Sequence, residues 1–243
     1  AGYTGTITQS SDMHISGYSQ ADGTFTGKTA KWIYCNGDFV ISAGTLSPSS
    51  LKLELSNSDF TFYNANNIRL EFIKFIGNCT VTNGVVAHNI IVDYDAIVTI
   101  PSGKRLYAYA LGFGGRNLVN NGMITGLGTL YIHYYDGTYN INGYGNVNCE
   151  MALTVVSTSS AVLLLQNNVN YTVLKIFSTG TGTITLDLNG HNLTCPSLTV
   201  STKGILQCGE GTITTTSLDS SAGTITPETA TWVFEGNGAA KVS

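Results

Sequence analysis

Asp22-Gly-Thr-Phe-Thr-Gly-Lys-Thr-Ala-Lys-Trp-Ile-Tyr34 and Ala222-Gly-Thr-Ile-Thr-Pro-Glu-Thr-Ala-Thr-Trp-Val-Phe234 align without a gap, 200 residues apart. Gly, three Thr, Ala and Trp are identical, and the pairs Ile33/Val233 and Tyr34/Phe234 are close. Both tryptophans of the chain, Trp32 and Trp232, fall at the same place in this unit. Its Gly-Thr-apolar centre recurs at Gly5-Thr-Ile7, Gly44-Thr-Leu46, Gly128-Thr-Leu130, Gly137-Thr-Tyr139, Gly182-Thr-Ile184 and Gly211-Thr-Ile213. Gly opens a tight turn, Thr begins a strand, and the apolar residue points inward. Repetition at uneven spacing fits the coils of a solenoid better than the fixed modules of a propeller.

The segments between these turns read as short strands. In Leu51-Lys-Leu-Glu-Leu55 the leucines take one face and Lys52 and Glu54 the other, and Ile68-Arg-Leu-Glu-Phe72 and Thr183-Ile-Thr-Leu-Asp-Leu188 alternate in the same way. Asn-Gly, Asn-Asn and Ser-Gly pairs punctuate them as turns do. No long segment carries apolar residues at helical spacing. The expected fold is all-β: a β-solenoid, parallel β-helix-like with irregular coils, as one elongated domain over residues 1–243. The alternative is a β-arch or β-sandwich assembly that pairs edge to edge.

Charged residues are 11% of the 243, against roughly 25% in ordinary soluble domains. Three arginines (Arg69, Arg105 and Arg116) and a net charge of −4 exclude a nucleic-acid surface, which needs clustered cations to displace counterions. The apolar stretch Ala161-Val-Leu-Leu-Leu165 stops at Gln166, far short of the roughly 20 residues of a membrane-spanning helix, so no membrane insertion is expected. The start at Ala1-Gly2, without Met, suits a mature secreted product, and an excised segment begins in the same way.

Leu186-Asp-Leu-Asn-Gly-His-Asn-Leu193 with Leu198-Thr-Val-Ser-Thr-Lys-Gly-Ile-Leu206, and Asp219-Ser-Ser-Ala-Gly-Thr-Ile-Thr226 leading into Thr231-Trp-Val-Phe-Glu-Gly-Asn-Gly238, resemble the repeats of Thr/Asn/Gly-rich extracellular β-solenoid proteins. Such repeats occur on bacterial, archaeal and phage surfaces. The resemblance is clear over residues 180–243 and 19–48 and loose between. It implies adhesive, sheath-like or cell-envelope roles at an extracellular or cell-surface location, and architecture more firmly than activity.

Five cysteines (Cys35, Cys79, Cys149, Cys195 and Cys208) form no Cys-x-x-Cys pair and no zinc spacing. Two readings stand: small buried hydrophobes, or disulfides with the odd thiol bridging copies. Asn78, Asn170 and Asn192 open Asn-x-Thr glycosylation acceptors. The catalytic candidates are Asp93 and Asp95, which would point to one side of a strand as paired acids do in polysaccharide-cleaving enzymes, with Lys104 and Arg105 lining the same groove. The Asp-Asp and Arg-x-Lys signatures of the polygalacturonases are missing. His14, His88, His133 and His191 lack ligand spacing, so neither a metal nor a cofactor is expected. His191 reads instead as a turn residue bonding the turn backbone through its side chain.

Tyr131-Ile-His-Tyr-Tyr135 is the densest aromatic segment. Its rings suit stacking on sugars, contact with a neighbouring subunit, or a ladder inside the solenoid; the interface or glycan-stacking candidates are Trp32, Trp232, Tyr131, Tyr134 and Tyr135. The leading expectation is a non-enzymatic, self-assembling surface protein, a sheath, fibre or envelope-layer subunit whose partners are its own copies. Its two tryptophans would lie at equivalent depths on either side of the junction. A glycan-binding adhesin or phage receptor-binding segment is the alternative, and a polysaccharide-cleaving enzyme ranks third.

Overall fold

The computed structural model describes residues 5–28, 30–47, 51–56, 59–62, 70–81, 85–109, 118–135, 137–155, 158, 160–236 and 240–241. Their strands pair in parallel, coil over coil, as a β-solenoid without helix. This is the expected fold rather than a hairpin-built sandwich. Among the described residues no helix is long and apolar enough to cross a membrane.

Each coil visits three faces in turn. Face 1 carries Thr6–Thr8, Thr24–Thr26 and Thr45–Ser47 near one end, then Arg105–Tyr109, Ser197–Val200, Ser217–Asp219 and Ala240–Lys241 farther along. Face 2 runs from Met13–Ile15 through Trp32–Cys35, Lys52–Leu55 and Leu70–Phe75. It passes through the Val119–Asn142 bridge and continues to Gly137–Ile141, Ala161–Leu165, Ile184–Asp187, Gly204–Gln207 and Thr224–Thr226. Face 3 begins at Tyr18–Gln20 and Phe39–Ile41 and ends at Thr212–Thr215 and Thr231–Phe234. Met123–Tyr134 and Asn146–Val155 turn the corner from face 3 to face 1 without breaking, with register shifts after Thr125 and Val147.

Alternation supplies the core. In Ala161–Leu165, Ala161, Leu163 and Leu165 are buried while Val162 and Leu164 are partly exposed. Parallel in-register pairing then stacks like on like along the axis: Ile33, Leu53, Ile73, Ile90 and Leu118 form one internal column, and Leu163, Leu186 and Leu206 another. Each fully buried aliphatic side chain contributes about 1.5–3 kcal/mol, offsetting the entropy of ordering so many short strands. Turns are held from coil to coil. The Asn168 side-chain oxygen accepts from the Asn192 amide at 2.9 Å, and that of Asn192 accepts from the Thr212 amide at 2.8 Å. In the turn before it, the His191 backbone amide donates to the Leu188 carbonyl, and the Asp187 carboxylate accepts from the Asn189 amide. The bonds in this turn thus run through the His191 backbone and the Asp187 side chain.

Two expectations are corrected. The tryptophans do not occupy equivalent places. The Trp32–Cys35 strand lies on face 2, and its neighbour Ile33 points inward, so Trp32 faces out. The Thr231–Phe234 strand lies on face 3, where Trp232 pairs with the buried Ile213 and therefore faces in. Coils of unequal length have moved the repeated unit around by one face. The cysteines form no disulfide: all five are buried thiols. They sit among inward side chains of different coils, and the Cys35 and Cys195 thiols donate to the carbonyls of Gly37 and Ser197 at 3.1 Å. A bond between copies would need these thiols at the surface.

Candidate functional site

Where face 2 begins, its outward positions line up in rows, one residue per coil. His14, Tyr34, Glu54 and Lys74 form one row; Trp32, Lys52 and Phe72 form the next. The His14 and Tyr34 rings stack with centroids 4.5 Å apart and planes 12° from parallel. Lys52 Nζ lies between two rings, 6.0 Å from the centre of Trp32 and 5.1 Å from that of Phe72, and pairs with Glu71 at 3.6 Å. Lys74 bridges Glu54 at 3.1 Å and Asp93 at 3.3 Å. Burial alone would lower the Lys74 pKa, but the two carboxylates outweigh it and raise it. Such half-exposed ion pairs contribute at most about 1 kcal/mol each. Their effect is to leave no unopposed charge on these two rows.

At the corner after these strands runs a third row, Ser16, Asn36, Ser56 and Ile76, set by the parallel climb of the turns. Between it and the His14 row lies an open groove of about 510 Å³. The Ser56 hydroxyl donates to Asn36 Oδ1 at 2.6 Å, leaving the Asn36 NH₂ group as a donor toward the groove. Ile76, 39% exposed, is its apolar patch.

Asp93 and Asp95 do not share a strand face. Val85–Val92 ends before them, and Asp93 opens a tight turn in which its carboxylate accepts from the Tyr94 amide and its carbonyl from the Ala96 amide. Asp95 takes a left-handed conformation (φ 63°) and is exposed. Arg105 belongs to face 1, where it donates to the Tyr107 hydroxyl at 3.0 Å, so the basic side chain does not join the acids.

The tyrosine segment divides. Tyr131 faces out on face 1 in a cluster with Tyr107, His133 and Phe177, its ring stacked on His133 at 4.6 Å, and Arg105 lies 5.9 Å from its centre. Beneath this cluster Ala152 and Thr154 are buried on what is otherwise an outward side. Tyr134 is not a surface residue: it is 1% exposed, packs on Tyr139 at 4.8 Å, and burial pushes its phenol pKa far up. Regular alternation puts it there with Leu130 and Ile132, while His133 is buried on the outward side by the ring cluster. Tyr135 is partly exposed, and Asn78, Asn170 and Asn192 are all exposed.

The rows of His14, Tyr34, Glu54 and Ser16, Asn36, Ser56 were legible only as a period of 20, hidden because the residue type changes from each coil to the next. Comparison with known proteins finds no matching family, no matching curated protein and no matching solved structure.

Proposed function

We propose that this chain is a structural subunit of an extracellular sheath, fibre or envelope layer, in which copies stack end to end as continuing solenoid coils. The observation that carries the reading is that, among the described residues, the core is open at both ends. At one, Ile7, Met13, Ile15 and Tyr18 are inward-facing yet only partly buried. At the other, Leu218, Ile225, Pro227, Trp232 and Phe234 line an apolar hollow of about 280 Å³, with Phe234 44% exposed. Among the described residues, the strands Thr224–Thr226 and Thr231–Phe234 pair on one side only, as do Thr6–Thr8, Met13–Ile15 and Tyr18–Gln20.

Each face offers a strand edge at both ends: Ala240–Lys241, Thr224–Thr226 and Thr231–Phe234 at one, and Thr6–Thr8, Met13–Ile15 and Tyr18–Gln20 at the other. Top meets bottom, so the contact propagates instead of closing. The low charge and the exposed glycosylation acceptors support an external location, and burial keeps the thiols from oxidants there.

Light scattering over a concentration series tests this. The mass of the wild-type particle should grow with concentration and filaments should appear by electron microscopy. Phe234→Asp should hold it monomeric, while the outward Val233→Asp should not. A wild-type chain that stays monomeric, or a Phe234→Asp variant that assembles equally well, would overturn the proposal.

A further inference from the structure

We infer that the corner groove between the His14–Tyr34–Glu54 row and the Ser16–Asn36–Ser56–Ile76 row is a binding site for an uncharged saccharide chain. This inference is independent of end-to-end stacking, because the groove lies on the side of the solenoid. Its volume, about 510 Å³, is within the usual range of roughly 300–1,000 Å³ for ligand sites. It crosses four coils, and coils stack about 4.8 Å apart, so it is roughly 14 Å long, enough for a few sugar units end to end.

The chemistry of the walls selects the ligand. A sugar ring offers hydroxyls around its rim and an apolar C–H face. The groove answers the first with two donors, the Tyr34 hydroxyl and the Asn36 NH₂, and two acceptors, the Ser56 oxygen, whose hydrogen is spent on Asn36, and the second oxygen of Glu54, Oε2 being held by Lys74. It answers the second with the edge of the His14–Tyr34 stack and with Ile76. Anionic polymers are disfavoured. The cation at the edge of the groove, Lys74, is already shared between Glu54 and Asp93, and a uronate or sulfate would face Glu54 with no cation to spare. A nucleic acid is disfavoured on the same ground. Polar groups on successive coils, Tyr34 and Asn36 and then Glu54 and Ser56, suit an extended chain better than a compact metabolite.

Trp32 provides the reporter, since its ring lies 6.3 Å from that of Tyr34. In a Trp232→Phe background, Trp32 is the remaining tryptophan, and dilute protein can be titrated with maltohexaose, cellohexaose, chitohexaose and, as the anionic control, hexagalacturonate. Saturable change in Trp32 emission is expected with at least one neutral oligomer, and none with hexagalacturonate. Asn36→Ala, an exposed change that leaves the core untouched, and Tyr34→Ala should each weaken binding about tenfold or more, while Tyr131→Ala on face 1 should leave it unchanged. Absence of saturable binding by every neutral oligomer would overturn the inference. So would binding indifferent to both Asn36→Ala and Tyr34→Ala, or hexagalacturonate binding as tightly as the neutral chains.

Discussion

The five thiols show how burial sets the chemistry of single residues. Burial raises the Cys149 pKa to about 11 and those of Cys195 and Cys208 to about 12, from an ordinary value of 9.0. Between 9.0 and those values the unfolded chain gives up thiol protons that the folded chain keeps, so the unfolded state binds fewer protons and stability falls as pH rises. The stabilisation is complete below about pH 9. Buried Tyr134 and Tyr171, whose pKa values are likewise raised by burial, act with the same sign. The urea midpoint should therefore be flat near neutrality and decline through about pH 9–11, and a midpoint constant over that interval would contradict it. A thiol-specific chromogenic reagent should react slowly with native protein and fully once it is unfolded. The sequence offered both readings of these residues, and composition alone gave no way to choose, because what decides is whether two sulfurs meet in space.

At the scale of strands and turns, alternation was readable wherever it was regular, as in Leu51–Leu55 and Thr183–Leu188, and these became the face 2 strands Lys52–Leu55 and Ile184–Asp187. It misled where a strand ends early. The acids Asp93 and Asp95 kept the spacing of a strand but occupy a turn, because the strand stops at Val92. Beyond the corner in Met123–Tyr134, Tyr134 keeps the parity of Leu130 and Ile132, so alternation itself puts it inside. The corner depends on Gly126, whose φ is +117° and whose hydrogen points at the Ile100 carbonyl, where a methyl group would collide with backbone. Gly126→Ala should lower stability by more than about 1 kcal/mol, read as a shift in urea midpoint at constant slope. Leu186→Ala, in the middle of a three-leucine internal column, should cost about 2–5 kcal/mol in the same assay. Leu127 in the same bend is 86% exposed, so Leu127→Ala serves as the near-neutral control.

For the whole molecule, a stack of coils touches only its neighbours, so stability passes along the axis rather than through one centre. The open end coils are supported from one side, and amide hydrogen exchange should be fastest in Thr6–Thr8 and Thr231–Phe234 and slowest around Ala161–Leu165 and Ile184–Asp187. Stacked copies should slow exchange at those two ends selectively. Uniform protection along the axis in the monomer would contradict the picture. The repeated tryptophan unit carries a lesson about addresses. Matching columns advance 20 residues from Ile33 to Leu53, 17 from Ile73 to Ile90 and 23 from Leu163 to Leu186. Backbone pairing tolerates this because corners absorb the difference, yet the same words of sequence then arrive at a different compass bearing. Duplicating a segment in such a chain therefore copies its shape without copying its outlook: a motif that looked outward to solvent can return facing the core. Surface chemistry would be reproduced faithfully only by lengthening the chain in whole circuits, and any other increment would wind the copied feature around the axis like the steps of a spiral stair.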